Sequence, residues 1–174
     1  MNDKIKVLID EEKLQSRIKE LAKEIKNDYQ DEEVVFVSVL KGAIFFTVDL
    51  MKNYSGDAII DVVRVSSYVG ENSTGIIELK VPLKKENIKG KNVVIVEDIV
   101  DTGRTFNYLV EYIKNMKPKS VKTCVMLDKP SRRVVDFEAD YVGFSIDDLF
   151  VIGYGLDYSE KYRNLPYIGY IENN

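Results

Sequence analysis

The chain has 174 residues, with 25 Lys+Arg against 29 Asp+Glu, a formal charge of -4 and 45% hydrophobic residues, the balance of an ordinary globular domain rather than a disordered or fibrous chain. It contains no histidine and a single cysteine, which excludes a Ser-His-Asp triad, a histidine zinc site and an intrachain disulfide. Acid–base chemistry is left to carboxylates, Lys, Tyr or Cys124, and the acidic balance argues against a nucleic-acid partner.

Met1 to Val7 alternates charged and aliphatic residues and lacks the unbroken apolar core of a signal peptide. Asp10 is placed to cap a helix whose apolar positions Leu14, Ile18, Leu21 and Ile25 recur at helical spacing. Val34 to Leu40 is a β-branched run of buried-strand character, followed by a Lys41-Gly42 turn and a helix from Ile44 to Asn53. Although the region Val34 to Met51 is the longest apolar stretch, Lys41, Gly42 and Asp49 interrupt it, so it is unfit to cross a bilayer. The expectation is a cytoplasmic protein without membrane contact. Ile59 to Val65 and Ile76 to Val81 read as two strands around a polar hairpin segment, Ser66 to Gly75.

Asn92 to Val96 is the next strand, Glu97 to Thr105 a connection, and about Phe106 to Met116 a helix stopped by Pro118. Ser120 to Leu127 is another buried strand, in which Cys124 reads as a small buried thiol. Shorter strands follow near Tyr141 to Phe144, Phe150 to Gly153 and Tyr167 to Tyr170. Alternating strands and helices predict an α/β fold with an open, mainly parallel sheet flanked by helices. In such sheets ligands bind beyond the strands' carboxyl ends, which points to the turns after Leu40, Val96 and Leu127.

The strongest chemical signal is Val93 to Thr105. A buried strand delivers Glu97 and Asp98 to its end, and Asp101-Thr102-Gly103-Arg104-Thr105 then opens a helix. Free backbone N–H groups, the Gly103 backbone and the hydroxyls of Thr102 and Thr105 suit one phosphate. Glu97 and Asp98 can accept from vicinal hydroxyls, so phosphate cradle and diol reader together imply a phosphorylated ribose. An Asp-Thr-Gly turn by itself would merely cap a helix, with Asp101 as the N-cap.

These thirteen residues resemble the phosphoribosyl-pyrophosphate motif of the phosphoribosyltransferases. The similarity extends from about Val34 to Leu165 through Leu40-Lys41-Gly42, Ser67-Tyr68, Lys129, Tyr141 to Phe144, and Phe150 to Tyr158 with Arg163; the segment from Phe150 is characteristic of the purine-salvage members. The resemblance implies a single domain over 1–174 with a small hood formed by the terminal segments. It also implies transfer of ribose 5-phosphate from phosphoribosyl pyrophosphate to hypoxanthine or guanine, giving IMP or GMP and pyrophosphate. Asp101 is then the catalytic carboxylate, and Glu97, Asp98, Thr102, Gly103, Arg104 and Thr105 join it in binding the phosphoribosyl group.

By the same resemblance Lys41, Gly42 and Arg163 hold pyrophosphate, Ser67 and Tyr68 belong to a loop that closes over the site, and Arg64 is a lesser candidate on the pyrophosphate side. Lys129 meets the purine 6-oxygen, Phe150 stacks on the ring, and Val151 and Asp157 complete the purine site. Glu97, Asp98 and Asp157 are implied ligands of Mg2+, which an acidic cleft needs in order to admit a polyanionic donor. A homodimer or homotetramer is implied as well. Read without the resemblance, Phe150 to Ile152 is core strand and Asp157 and Arg163 are surface charges. Three rival functions are a xanthine-guanine transferase, an RNA-binding regulator on the same fold, and a nucleotide-binding module without activity.

Overall fold

The computed structural model of the chain describes residues 4–67 and 77–172. In chain order the elements are β1 (Ile5–Ile9), α1 (Glu11–Tyr29), β2 (Val34–Leu40), α2 (Ile44–Asn53), β3 (Ala58–Ser67), β4 (Ile77–Val81), α3 (Lys85–Ile88), β5 (Asn92–Val100), α4 (Arg104–Lys114), β6 (Ser120–Asp128), a 3-10 turn (Pro130–Arg132), β7 (Tyr141–Ser145), β8 (Val151–Ile152) and β9 (Ile168–Ile171). The main sheet runs β4-β3-β2-β5-β6-β7 and is parallel except for the β3–β4 hairpin. A second sheet, β1-β9-β8, joins both ends of the chain by antiparallel pairing and forms the expected hood.

The central strands are apolar on both faces because helices cover both. On one side α1 buries Leu14, Ile18, Leu21 and Ile25 completely, each removal from water contributing about 1.5–3 kcal/mol. Asp10 caps this helix, its Oδ1 accepting from the Lys13 N–H at 2.8 Å, which satisfies a donor that the first turn leaves unpaired. On the other side Phe106, Leu109 and Ile113 of α4 pack with Val35, Val37, Val93 and Ile95. Cys124 is fully buried in β6, and burial raises its thiol pKa out of reach of neutral-pH chemistry.

Several boundaries differ from the sequence expectation. β5 does not stop at Val96: pairing with β6 continues through Glu97, Ile99 and Val100, so the acidic pair lies within the strand. α4 begins at Arg104 rather than Phe106, with Gly103 at its N-cap in the left-handed region, φ 83°. Asp101 therefore lies two residues before the cap and is not the N-cap. α3 and the 3-10 turn, too short to carry periodicity, have no counterpart in the sequence reading. Ile76 lies outside the described residues, and β4 is observed from Ile77.

Candidate active site

A cleft of about 500 Å3 opens at the carboxyl end of the parallel strands, between the turns that follow β2 and β5. Its lining includes Gly42, Glu97, Asp98, Asp101, Thr102, Gly103, Thr105, Asp157 and Arg163, residues the sequence spreads over three separate segments. Thr102 Oγ1 accepts from the Arg104 N–H at 3.4 Å and so shapes the loop, while the Arg104 side chain is exposed and does not line the cleft. A Cβ on Gly103 would lie 2.9 Å from both Arg133 Cδ and Val135 Cγ2. Glycine is thus demanded there by space as well as by φ.

Glu97 is buried and Asp98 lies beside it at the cleft. Burial, reinforced by the neighbouring Asp98 charge, raises the Glu97 pKa well above the usual carboxylate range. Burial raises Asp98 too, although the Glu97 side chain and the Ile99 N–H, which donates to Asp98 Oδ1 at 2.8 Å, oppose that shift. The pair consequently holds a proton more readily than free carboxylates, with Glu97 as its natural carrier.

The Leu40–Lys41 peptide is cis. Gly42 follows, pressed so closely to β5 that a Cβ would fall 1.6 Å from Asp98 Oδ2. Gly155, φ 97°, approaches the other side of this turn: a Cβ there would lie 2.0 Å from the Gly42 carbonyl oxygen. Behind the turn, Thr47 donates to Ala43 O and pairs with Ser38 Oγ, both at 2.8 Å, fixing α2 onto β2. The Phe150 to Tyr158 segment is tied down by Tyr154, whose hydroxyl donates to Asp49 of α2 at 2.8 Å.

Asp157 and Arg163 are not loose surface charges. Arg163 Nη2 sits 2.7 Å from Asp157 Oδ1 and Nη1 donates to Gly155 O at 2.6 Å. Its Nε is buried without a partner among the described residues. Lys41 Nζ is 2.7 Å from Glu160 Oε2. Lys129 is buried just after β6, its N–H donating to Val100 O at 3.0 Å and its Nζ 3.5 Å from Asp148 Oδ1. Phe150 is 62% exposed, which excludes a core role, and its ring meets that of Tyr158 edge to face at 5.7 Å; Val151 beside it is buried in β8. Lys41, Lys129, Phe150 and Val151 do not line this cleft. Ser67 ends β3, and Arg64, exposed, is in register with Leu40; Tyr68 lies outside the described residues.

Four site neighbours escaped the sequence reading. Arg132 Nε donates to Asp101 Oδ1 at 3.0 Å and Arg133 Nη1 to Asp101 O at 2.7 Å; the only sequence signal was the basic pair itself, 31 residues from Asp101. Asp148 lies between Arg132, at 3.4 Å, and Lys129. Glu160 lies between Lys41 and Arg163, 3.5 Å from the latter. Nothing local marks Asp148, and although Arg163 lies three residues from Glu160, the pairing of Glu160 with Lys41 spans 119 residues.

Comparison with known proteins agrees with this geometry. A family model described as the phosphoribosyl transferase domain matches residues 7–159. The hypoxanthine-guanine phosphoribosyltransferase of Bacillus subtilis (strain 168) is 46% identical over 168 residues, 96% of this chain and 93% of that protein. The bifunctional protein TilS/HprT of Listeria monocytogenes serotype 4b is 48% identical over 98% of this chain, which spans only 26% of that longer protein. A crystal structure of a hypoxanthine-guanine phosphoribosyltransferase from Bacillus anthracis superimposes with a TM-score of 0.90 at 44% identity, covering 98% of this chain and all of that one. A matching family model over most of the chain, full-length relatives and the cleft's own residues converge: the chain belongs to the phosphoribosyltransferase family, in its hypoxanthine-guanine branch.

Proposed function

We propose that the chain transfers ribose 5-phosphate from phosphoribosyl pyrophosphate to hypoxanthine or guanine, yielding IMP or GMP and pyrophosphate, in purine salvage. The observation that carries this reading is the single cleft shared by the Asp101 to Thr105 loop, the Glu97–Asp98 pair, Gly42 and Arg163. The Thr102 and Thr105 hydroxyls and the first N–H groups of α4 bind the 5-phosphate. Glu97 and Asp98 accept from the ribose hydroxyls. The Gly42 turn and Arg163 hold the departing pyrophosphate, with the unpartnered Nε of Arg163 available to one of its oxygens after a small rearrangement.

As the bond from the anomeric carbon to pyrophosphate breaks and the bond to the purine nitrogen forms, positive charge develops on the sugar and the base loses a proton. The Asp101 carboxylate accepts that proton near N7 and offsets the developing charge. Arg132 Nε and Arg133 Nη1 fix Asp101 at side chain and backbone respectively. Buried Lys129 donates to the 6-oxygen, a contact adenine's amino group cannot accept, and exposed Phe150 covers the ring.

The donor set fits Mg2+ but not as an all-protein cage. Asp98 and Asp157 offer hard oxygens at the cleft, yet Asp157 Oδ1 already pairs with Arg163 and its Oδ2 accepts from the Glu160 N–H at 2.9 Å. No group of three such ligands is close enough to enclose a cation among the described residues. That is the arrangement expected for Mg2+ carried largely by substrate oxygens and water, with Asp98 and Asp157 as its protein ligands and Glu97 behind them. When bound, the ion neutralises pyrophosphate charge.

The reading includes one domain over 1–174, a cytoplasmic setting without nucleic-acid or membrane partners, and self-association into a homodimer or homotetramer. No helix among the described residues is long and apolar enough to cross a membrane, and exposed Ile44, Phe45 and Val48 on α2 favour self-association, which light scattering reads directly. The deciding assay incubates the protein with phosphoribosyl pyrophosphate, Mg2+ and hypoxanthine, guanine, xanthine, adenine or uracil in parallel. Nucleotide from hypoxanthine and guanine, with adenine and uracil inert, is expected; no nucleotide from any base overturns the reading.

A further inference from the structure

Lys41 and Arg163, the two cations read above as pyrophosphate contacts, are already bridged by one carboxylate. Glu160 Oε2 lies 2.7 Å from Lys41 Nζ, and Glu160 Oε1 lies 3.5 Å from Arg163 Nη2. The turn that presents it is unusual. Ser159, Glu160 and Tyr162 all adopt left-handed backbone conformations, φ 52°, 63° and 73°, a region that costs non-glycine residues about 1 kcal/mol or more each. The bridge Tyr158↔Lys161 closes the turn and the Glu160 N–H donates to Asp157 Oδ2 at 2.9 Å. A strained turn thus directs an acidic side chain, 66% exposed to solvent, back onto Lys41 and Arg163.

We propose that Glu160 is an affinity-determining residue that competes with pyrophosphate for Lys41 and Arg163. A pyrophosphate oxygen arriving between these cations meets a carboxylate in the same place, and like charges cannot share it. Glu160 must swing out for the donor to bind and swings back as pyrophosphate leaves, so it weakens binding of the leaving group and hastens its release. The exposure of the ion pair makes such movement inexpensive. The inference rests on the assignment of Lys41 and Arg163 to pyrophosphate.

Titration calorimetry with pyrophosphate in Mg2+ buffer tests both points on the full chain. Glu160→Gln, and independently Glu160→Ala, should bind pyrophosphate about two- to fivefold more tightly than the unaltered chain, the scale of an exposed ion pair. The gain should shrink when Lys41→Gln is also present. Unchanged or weaker binding by both Glu160 variants, while Lys41→Gln alone loses affinity, overturns the competition and leaves the pyrophosphate assignment standing. A gain of equal size without Lys41 also overturns it, since the effect would then be general charge. Full affinity in Lys41→Gln refutes the assignment of Lys41 and the inference built on it.

Discussion

Gly42→Ala probes the placement of the pyrophosphate turn against the acidic pair. The added Cβ would fall 1.6 Å from Asp98 Oδ2 and 2.5 Å from Asp98 Cγ, where ordinary contact begins at 3.4 Å. The overlap is therefore 1.8 Å at the nearest atom. The turn cannot retreat freely, because a Gly155 Cβ position lies only 2.0 Å from the Gly42 carbonyl oxygen on the other side. Either Asp98 turns away from the cleft or the turn shifts against α2 and the Gly155 segment. Overpacking of this kind costs about 1–3 kcal/mol, and at this chain length each kcal/mol lowers Tm by roughly 2–4 °C. A misplacement near 1 Å in the site lowers kcat/KM for the donor by roughly 100-fold.

Thermal melting and steady-state kinetics read the two effects separately, and Asp98→Ala in the same chain should recover part of the lost Tm by opening the space. Wild-type Tm together with wild-type kcat/KM in Gly42→Ala would refute the close approach and, with it, the argument that glycine is required there.

Asp101→Asn should lower kcat by about 100- to 10,000-fold with donor affinity retained; a near-normal kcat removes Asp101 from the reaction. Lys129→Met should raise KM for hypoxanthine about 10- to 100-fold, the value of a charge-assisted hydrogen bond, with a smaller effect on the donor; equal losses for both substrates would place Lys129 outside the base site. For Glu97, the folded state binds a proton more tightly than the unfolded chain, so stability is greatest at low pH and falls as pH rises above about 4 toward the raised pKa of the buried pair. Glu97→Gln, which keeps a donor for Asp98 without the titratable proton, should melt higher than wild type at pH 7.5 and lose that advantage below pH 4; no difference at pH 7.5 refutes the raised pKa. Chelating Mg2+ should reduce nucleotide formation to background, and turnover surviving excess chelator would sink the metal requirement.

The strands, helices and the Asp101 to Thr105 loop were legible because each is written in neighbouring residues. The 4-3-4 spacing of Leu14, Ile18, Leu21 and Ile25 can bury only as one helical face, and it does. The β-branched runs of β2, β5 and β6 sit where the pattern put them. The Asp101 to Thr105 loop pointed to a phosphate ligand because a cradle of backbone N–H groups needs only a few contiguous residues. The base site comes from the resemblance alone; that Lys129 is buried and Phe150 exposed is decided by the tertiary structure. What local sequence could not carry is pairing between distant segments. The extension of β5 to Val100 follows from its register with β6, and the lack of space for a side chain at Gly42 follows from the Asp98 carboxylate on the neighbouring strand. Arg132 on Asp101 and Glu160 on Lys41 are ion pairs between separate loops. Periodicity and turn chemistry act over a few residues, whereas these contacts exist only once the sheet has brought remote turns to the same edge.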